Sequence, residues 1–249
     1  MMLQSDGKIS NDTTMYDQLA PQYRKYSECK IHYLNAIDNL VLKHIPVGAK
    51  SILDVGAGDG VRAVKIAKAS NISKIVLAEP SPTMIALCQN QSVSDTWQVT
   101  AEELPQTNER FDVILCLWNV LGHIESNERR INALKNMAKL LSKDGKIYID
   151  VNNRYNANSY GFIHTIRRFL YDSIFPSEKN GDVSFEWEVN GSKIPAMGHF
   201  FTPFEIANII RQAGLKNVRR YIVDYETGLT KKHVFSGQLY YELSGVAES

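Results

Sequence analysis

The chain has 249 residues, 44% of them hydrophobic and 22% charged, with a net charge of +1 at neutral pH. That balance suits one sizeable globular domain with a full core, and near-neutral charge with scattered doublets such as Arg129-Arg130 and Lys231-Lys232 argues against a nucleic-acid surface. No apolar run approaches a membrane span, the polar start MMLQSDGKISNDTT lacks a signal-peptide core, and three separated cysteines make neither a disulfide framework nor a zinc pattern, so the expected location is cytoplasmic.

Residues 1–13 are expected to fray. The segment MYDQLAPQYRKYSECK then brings Tyr16, Tyr23 and Tyr26 together, either to pack the segment down or to reach a site. Tyr33, Leu34, Ile37, Leu40 and Val41 recur at helical spacing, and Pro46 with Gly48 ends that helix.

Ser51 to Gly60 reads SILDVGAGDG, a buried-strand pattern followed by glycines at alternate positions. Ala63, Val64 and Ala67 then share one helical face, so the glycines sit where a strand hands over to a helix. That is the context of a nucleotide cradle. The dinucleotide spacing G-x-G-x-x-G would need its last glycine at Val61, and Asp54 and Asp59 would repel a pyrophosphate. A ligand with a cationic amino group and a cationic sulfur, such as S-adenosylmethionine, suits this loop better. Glu79 ends the next apolar run, Ile75 to Ala78, where an acid accepts ribose hydroxyls in dinucleotide folds.

Ser81 and Pro82 start a helix carrying Met84, Ile85 and Cys88. Trp97 to Val99 reads as a third strand, and Phe111 to Trp118 as a fourth, buried on both faces. Ile131, Leu134, Ala138 and Leu141 make a helix, and Asp144-Gly145 turns into a strand at Lys146 to Val151. Five such units imply a parallel sheet with helices on both faces.

Residues 152–200 break the pattern, with a helix at Phe162 to Phe175 and two short strands around Asn190 and Gly191. This insertion holds Arg154, Tyr155, Tyr160, Trp187 and His199, which either shape an acceptor site or form an aromatic satellite core. Thr202, Pro203 and Glu205 then form a capping box, Gly214 stops that helix, and two strands, Tyr221 to Tyr225 and His233 to Leu243, close the chain as an edge hairpin.

DVGAGDG, the acid at Glu79, FDVILCLWNVLGHI and LLSKDGKIYID resemble, in order, the motifs of class I S-adenosylmethionine-dependent methyltransferases, from about Tyr16 to about Leu243. The resemblance implies an α/β fold, a Rossmann-like parallel sheet with an antiparallel last strand and an α+β insertion after the fifth strand. It implies one domain over residues 1–249 with 152–200 as a lid. Asp54 and the backbone of Gly56, Gly58 and Gly60 would hold the methionine end of the cofactor, Glu79 the ribose, Ala101 and Glu102 the adenine, and Leu117 and Trp118 the region of the sulfur, with Ala57, Pro80 and Asn119 also at the cofactor. A YDxxAxxY pattern covers Tyr16, Asp17, Ala20 and Tyr23.

The implied reaction is methyl transfer from the cofactor, leaving S-adenosylhomocysteine; the resemblance carries no substrate, so a small-molecule N or O acceptor is the default expectation, with no metal. His123, His199 and Tyr23 are the candidates for a base. No Asn-Pro-Pro-Tyr motif stands after the fourth strand, which speaks against exocyclic base amines as acceptors. A non-catalytic cofactor-binding regulator or assembly protein is the alternative, and oligomeric state is left open.

Overall fold

The computed structural model describes residues 15–189 and 192–245, without the side chains of 187–189, 192 and 194. The expected fraying of 1–13, the turn at Asn190 and Gly191 and the Trp187 ring lie outside the described residues.

The fold is built on β1 (Ser51–Val55), β2 (Lys74–Ala78), β3 (Asp95–Trp97), β4 (Phe111–Cys116) and β5 (Leu141–Val151), which are mutually parallel in the order β3-β2-β1-β4-β5. The apolar runs become central strands because alternate side chains enter opposite layers. Leu53, Val55, Ile114 and Cys116 face one core, and Ile52, Val113 and Leu115 face the other.

A short α1 (Tyr23–Glu28) precedes α2 (Ile31–His44); α2, α3 (Val61–Ala69) and α4 (Pro82–Gln89) fill the second layer. On the first layer lie α5 (Asn127–Lys139) and, after the insertion, a helix at Pro203–Gln212. Side chains expected to start helices do so. The Ser81 hydroxyl accepts from the Met84 amide at 3.1 Å, and Thr202 and Glu205 form both bonds of the capping box.

The insertion holds a single turn, Ala157–Tyr160, then α6 (Phe162–Ile174) and a hairpin of β6 (Asp182–Val189) and β7 (Ser192–His199) that forms its own two-stranded sheet. The Pro203–Gln212 helix is α7. Met15, Leu19 and Ala196 form a small buried cluster with Tyr16, Tyr23 and Phe185 against it, so the hairpin packs on the N-terminal segment.

Two expectations are corrected. The third strand is Asp95–Trp97, two residues earlier than Trp97 to Val99. The closing pair, β8 (Leu215–Val223) and β10 (Gln238–Gly245), is not an edge hairpin: β10 runs antiparallel between β5 and β8, and the two-residue β9 (Thr230–Lys231) forms the edge. Six consecutive buried residues in β10 show that both its faces are covered, and its backbone pairs with a strand on either side. β8 starts directly after Gly214, whose φ of +73° ends α7.

Candidate active site

At the carboxyl ends of β1 and β2 the chain makes its tightest turn. Gly56, Gly58 and Gly60 have φ of +73°, +57° and +73°, a region that costs other residues about 1–3 kcal/mol. A Cβ on Gly56 would lie 2.5 Å from Val120, and one on Gly58 2.6 Å from the Tyr23 hydroxyl. The loop is tied to β2 by Gly56 and Ala57 amides donating to the Ala78 carbonyl, at 2.8 and 3.1 Å.

Glu79, buried at the end of β2, completes this cradle. It accepts the Gly58 amide at 2.9 Å on one oxygen and the Ser81 amide at 3.0 Å on the other. Each oxygen keeps a second lone pair for a ligand hydroxyl. Burial pushes its carboxyl up to about 7 in spite of those two bonds.

The end of β4 forms the facing wall. Trp118 and Asn119 are consecutive non-glycine residues in the left-handed region, at φ +67° and +62°. The strain is held by β5: the Trp118 amide donates to the Asp150 carboxylate at 2.5 Å and the Asn119 amide to the Asp150 carbonyl at 3.2 Å. The Asn119 side-chain oxygen accepts the Asn152 amide at 2.9 Å. The indole therefore leaves the sheet, stacks on Tyr26 at 5.5 Å and donates to the Tyr225 hydroxyl at 3.3 Å.

The N-terminal segment roofs this space as a strap. Asp17 accepts from the Ser81 hydroxyl at 2.5 Å and the Thr83 amide at 3.2 Å, so it latches onto the start of α4. Tyr16 reaches across to His123, with its hydroxyl 3.1 Å from Nε2. Tyr23 fills the space above Gly58, and burial with the nearby Asp59 and Glu79 holds its phenol protonated far above the ordinary range. Tyr23 is thus a donor and a wall, and a poor base.

Two cavities result. The first, enclosing about 910 Å³ with its mouth, is lined by Gly56, Gly58, Glu79, Pro80 and Thr100 to Glu102 on one side and by Leu117, Trp118, Val120 and His123 on the other. The second, about 1190 Å³, lies under the insertion and the last strands. Its wall combines aromatic rings with the side-chain amides of Asn119, Asn152, Asn158 and Gln238 and the carboxyl of Glu226, and among the described residues it has no Lys or Arg. Tyr16, Tyr23, Trp118 and His123 line both cavities.

Most residues expected at the cofactor meet here. Ala57 and Gly60 shape the loop from behind, and Asn119 lines the second cavity. Glu102 is held by Arg129 at 2.9 Å. Asp54 departs from its expected place: strand alternation turns it to the α2 and α3 layer, near Asp38 and Arg62, and burial pushes it up to about 7. Arg62 pairs with Asp38 at 2.8 Å there.

His199 also departs. It is 1% exposed and lines neither cavity; Nδ1 lies 2.9 Å from Asp182 and Nε2 3.0 Å from Glu205. Arg154 joins the same cluster through Asp172 at 3.2 Å and Glu205 at 2.9 Å, and Tyr155 donates to Asp172 at 2.9 Å. These residues fasten the insertion to α7.

Sequence reading missed Asn152, Asn158, Phe200, Tyr225 and Gln238 in the second cavity, because nothing in a lone amide or ring on a late strand signals a distant pocket. Asp17 carried a signal in the tyrosine segment, but its latch to α4 needs the fold to be seen. Among the described residues no group of three or more His, Cys, Asp or Glu converges to hold a metal, and no helix is long and apolar enough to cross a membrane.

Residues 30–220 match the family model described as a methyltransferase domain. A ubiquinone biosynthesis O-methyltransferase of Coxiella burnetii is 27% identical over 142 residues, covering 55% of this chain and 57% of that protein. A glycine/sarcosine N-methyltransferase of Aphanothece halophytica is 29% identical over 114 residues, 43% of this chain and 42% of that one. The chain thus spans little more than half the length of the first of these curated relatives.

Among solved structures, the complex of DhpI with SAM and HEP superposes with a TM-score of 0.66 at 14% identity, over 97% of this chain and 99% of that one. An S-adenosylmethionine-dependent methyltransferase from Clostridium acetobutylicum gives 0.63 at 13% identity, over 96% and 99%. These likenesses concern the fold. With the family model covering well over half of its length, the chain belongs to the methyltransferase-domain family and has the class I fold of the S-adenosylmethionine-dependent enzymes.

Proposed function

We propose that this chain transfers the methyl group of S-adenosylmethionine, held in the first cavity, to a small acceptor without net negative charge held in the second, through an N or O nucleophile. The observation that carries the reading is the shared wall: the two cavities meet at Tyr16, Tyr23, Trp118 and His123.

The residues fit the cofactor. Glu79 offers free lone pairs to two hydroxyls, the loop is a cradle that any Cβ would fill, and the buried acids favour a cationic ligand. When bound, the cofactor supplies a methyl group already activated on a sulfonium. The protein then has to orient the nucleophile and exclude water. The strap and the β6–β7 hairpin close the space from above, while Trp118 positions rings from both sides. An acceptor that keeps a proton delivers it to His123, which the Tyr16 hydroxyl steadies.

Among the described residues the second cavity has Glu226 and no Lys or Arg on its wall, which disfavours carboxylates and phosphates as acceptors. Its rings and amides suit a flat or hydroxylated ring bearing an amine or hydroxyl. Calorimetric titration with S-adenosylmethionine and S-adenosylhomocysteine, followed by turnover with neutral and carboxylate-bearing acceptors, tests this. Binding and turnover with the neutral set are expected. No binding of either ligand overturns the reading, and binding without turnover on any acceptor favours a regulatory role.

A further inference from the structure

The helix α6 is amphipathic with its faces reversed. Thr165, Arg168 and Asp172, three and four residues apart, form the face against the body. Thr165 is 2% exposed, Arg168 donates to the Asn180 carbonyl at 3.0 Å, and Asp172 accepts from Arg154, Tyr155 and the Asn180 side chain at 3.2, 2.9 and 2.9 Å. The opposite face carries Phe162, Ile163, Ile166, Leu170 and Ile174, exposed by 42 to 74%. Such spacing ordinarily turns an apolar stripe into a core. Here it turns the stripe outward.

Beside this ridge runs a groove whose apolar lining is Phe169, Pro176, Pro203, Phe204 and Phe235, with Asp172, Glu178 and Asn208 also on its wall; Phe204 is 82% exposed. Taking about 150–250 Å² for a whole aromatic side chain, ridge and groove expose on the order of 800–1,000 Å² of apolar surface. The largest patch on a typical monomer is about 300–600 Å². A standard interface buries about 800 Å² per partner.

We infer that α6 and its adjoining groove are the contact surface for a second copy of this chain, paired about a two-fold axis. A ridge next to a groove on one face is self-complementary: each ridge enters the partner's groove, and the contact closes on itself. A lipid surface fits less well, since an interfacial helix offers a cationic polar face to headgroups. Of the polar side chains of α6, Thr165, Arg168 and Asp172 are taken up by the body while Arg167 is exposed, and the charges beyond its end are mixed, Glu178 beside Lys179.

The pairing goes beyond methyl transfer and does not depend on it. Sedimentation equilibrium of the full chain, from about 1 to about 100 µM, should give twice the chain mass. The double variant Ile163→Glu/Leu170→Glu should weaken the dimer by about a hundredfold or more, with unchanged circular dichroism. Phe204→Ser, on the groove side and outside α6, should weaken it as well and guards against misfolding of the first variant. A wild type monomeric throughout that range, a dimer indifferent to both variants, or flotation of a monomer with phosphatidylcholine or phosphatidylglycerol vesicles each overturns the inference.

Discussion

Two regions of this molecule hold a buried histidine or its neighbours among carboxylates, and they do opposite things. Under the insertion, Arg154, Asp172, His199 and Glu205 satisfy one another: both ring nitrogens of His199 meet an acid, and two guanidinium nitrogens of Arg154 reach carboxylates. At the end of the sheet Glu79 accepts two backbone amides, and among the described residues no Lys or Arg pairs with it. Its pKa rises to about 7, whereas Glu205, bonded to His199, Arg154 and Asn127, is held below the usual range even though burial pushes the other way. A ligand site is marked by polar capacity left over, and a structural cluster by capacity used up.

The sharpest way to break this comparison is Arg154→Ala. It takes a buried guanidinium away from two half-buried carboxylates, leaving Asp172 with Tyr155 and Asn180 and Glu205 with His199 and Asn127, so a loss of about 3–5 kcal/mol is expected, read as a lowered denaturant midpoint. A loss under about 1 kcal/mol would show that the cluster is not what holds the insertion down.

Glu79→Ala tests the other side. Loss of hydrogen bonds to a charged group, at about 1.5–3 kcal/mol, should weaken S-adenosylmethionine binding about tenfold to a hundredfold in calorimetry. Thermal stability should change far less than in Arg154→Ala.

The two histidines separate the regions more finely. His123→Ala should lower kcat about tenfold to a hundredfold for an acceptor that must lose a proton, with cofactor affinity nearly unchanged. His199→Ala should destabilise the fold while the folded fraction keeps its kcat. A kcat lost equally in both would remove the distinction drawn between them.

The last effect is one of pH. Glu79 is raised from 4.5 to about 7 in the folded chain, so the folded state keeps a proton that the unfolded state has released. Its contribution to stability is full below about pH 4.5 and is lost as pH rises through about 7. Glu79→Gln cannot ionise, so the melting temperature of wild type relative to this variant should fall across that window. A difference that stays flat would mean that Glu79 is not desolvated as its position indicates.

Much of the cofactor side was legible because its signals are local. SILDVGAGDG needs only a strand, glycines that allow positive φ, and a following helix, and Glu79 ends the next apolar run. Asp54 was misplaced by one step of the same logic: strand alternation sends Leu53 and Val55 to one layer and Asp54 to the other, beside Arg62. His199 was misread because a histidine in an insertion looks the same whether its nitrogens face solvent, substrate or acids.

By itself the sequence determined the alternating strands and helices, the glycine cradle and the acid beside it, since period, turn chemistry and capping act over a few residues. Only the tertiary structure decided that β10 lies inside the sheet and that Asp17 latches the strap to α4. It also decided that Gln238 and Asn152 meet in one cavity and that α6 turns its apolar face outward. Each of these joins residues tens of positions apart, whose encounter depends on the packing of whole layers rather than on any local preference.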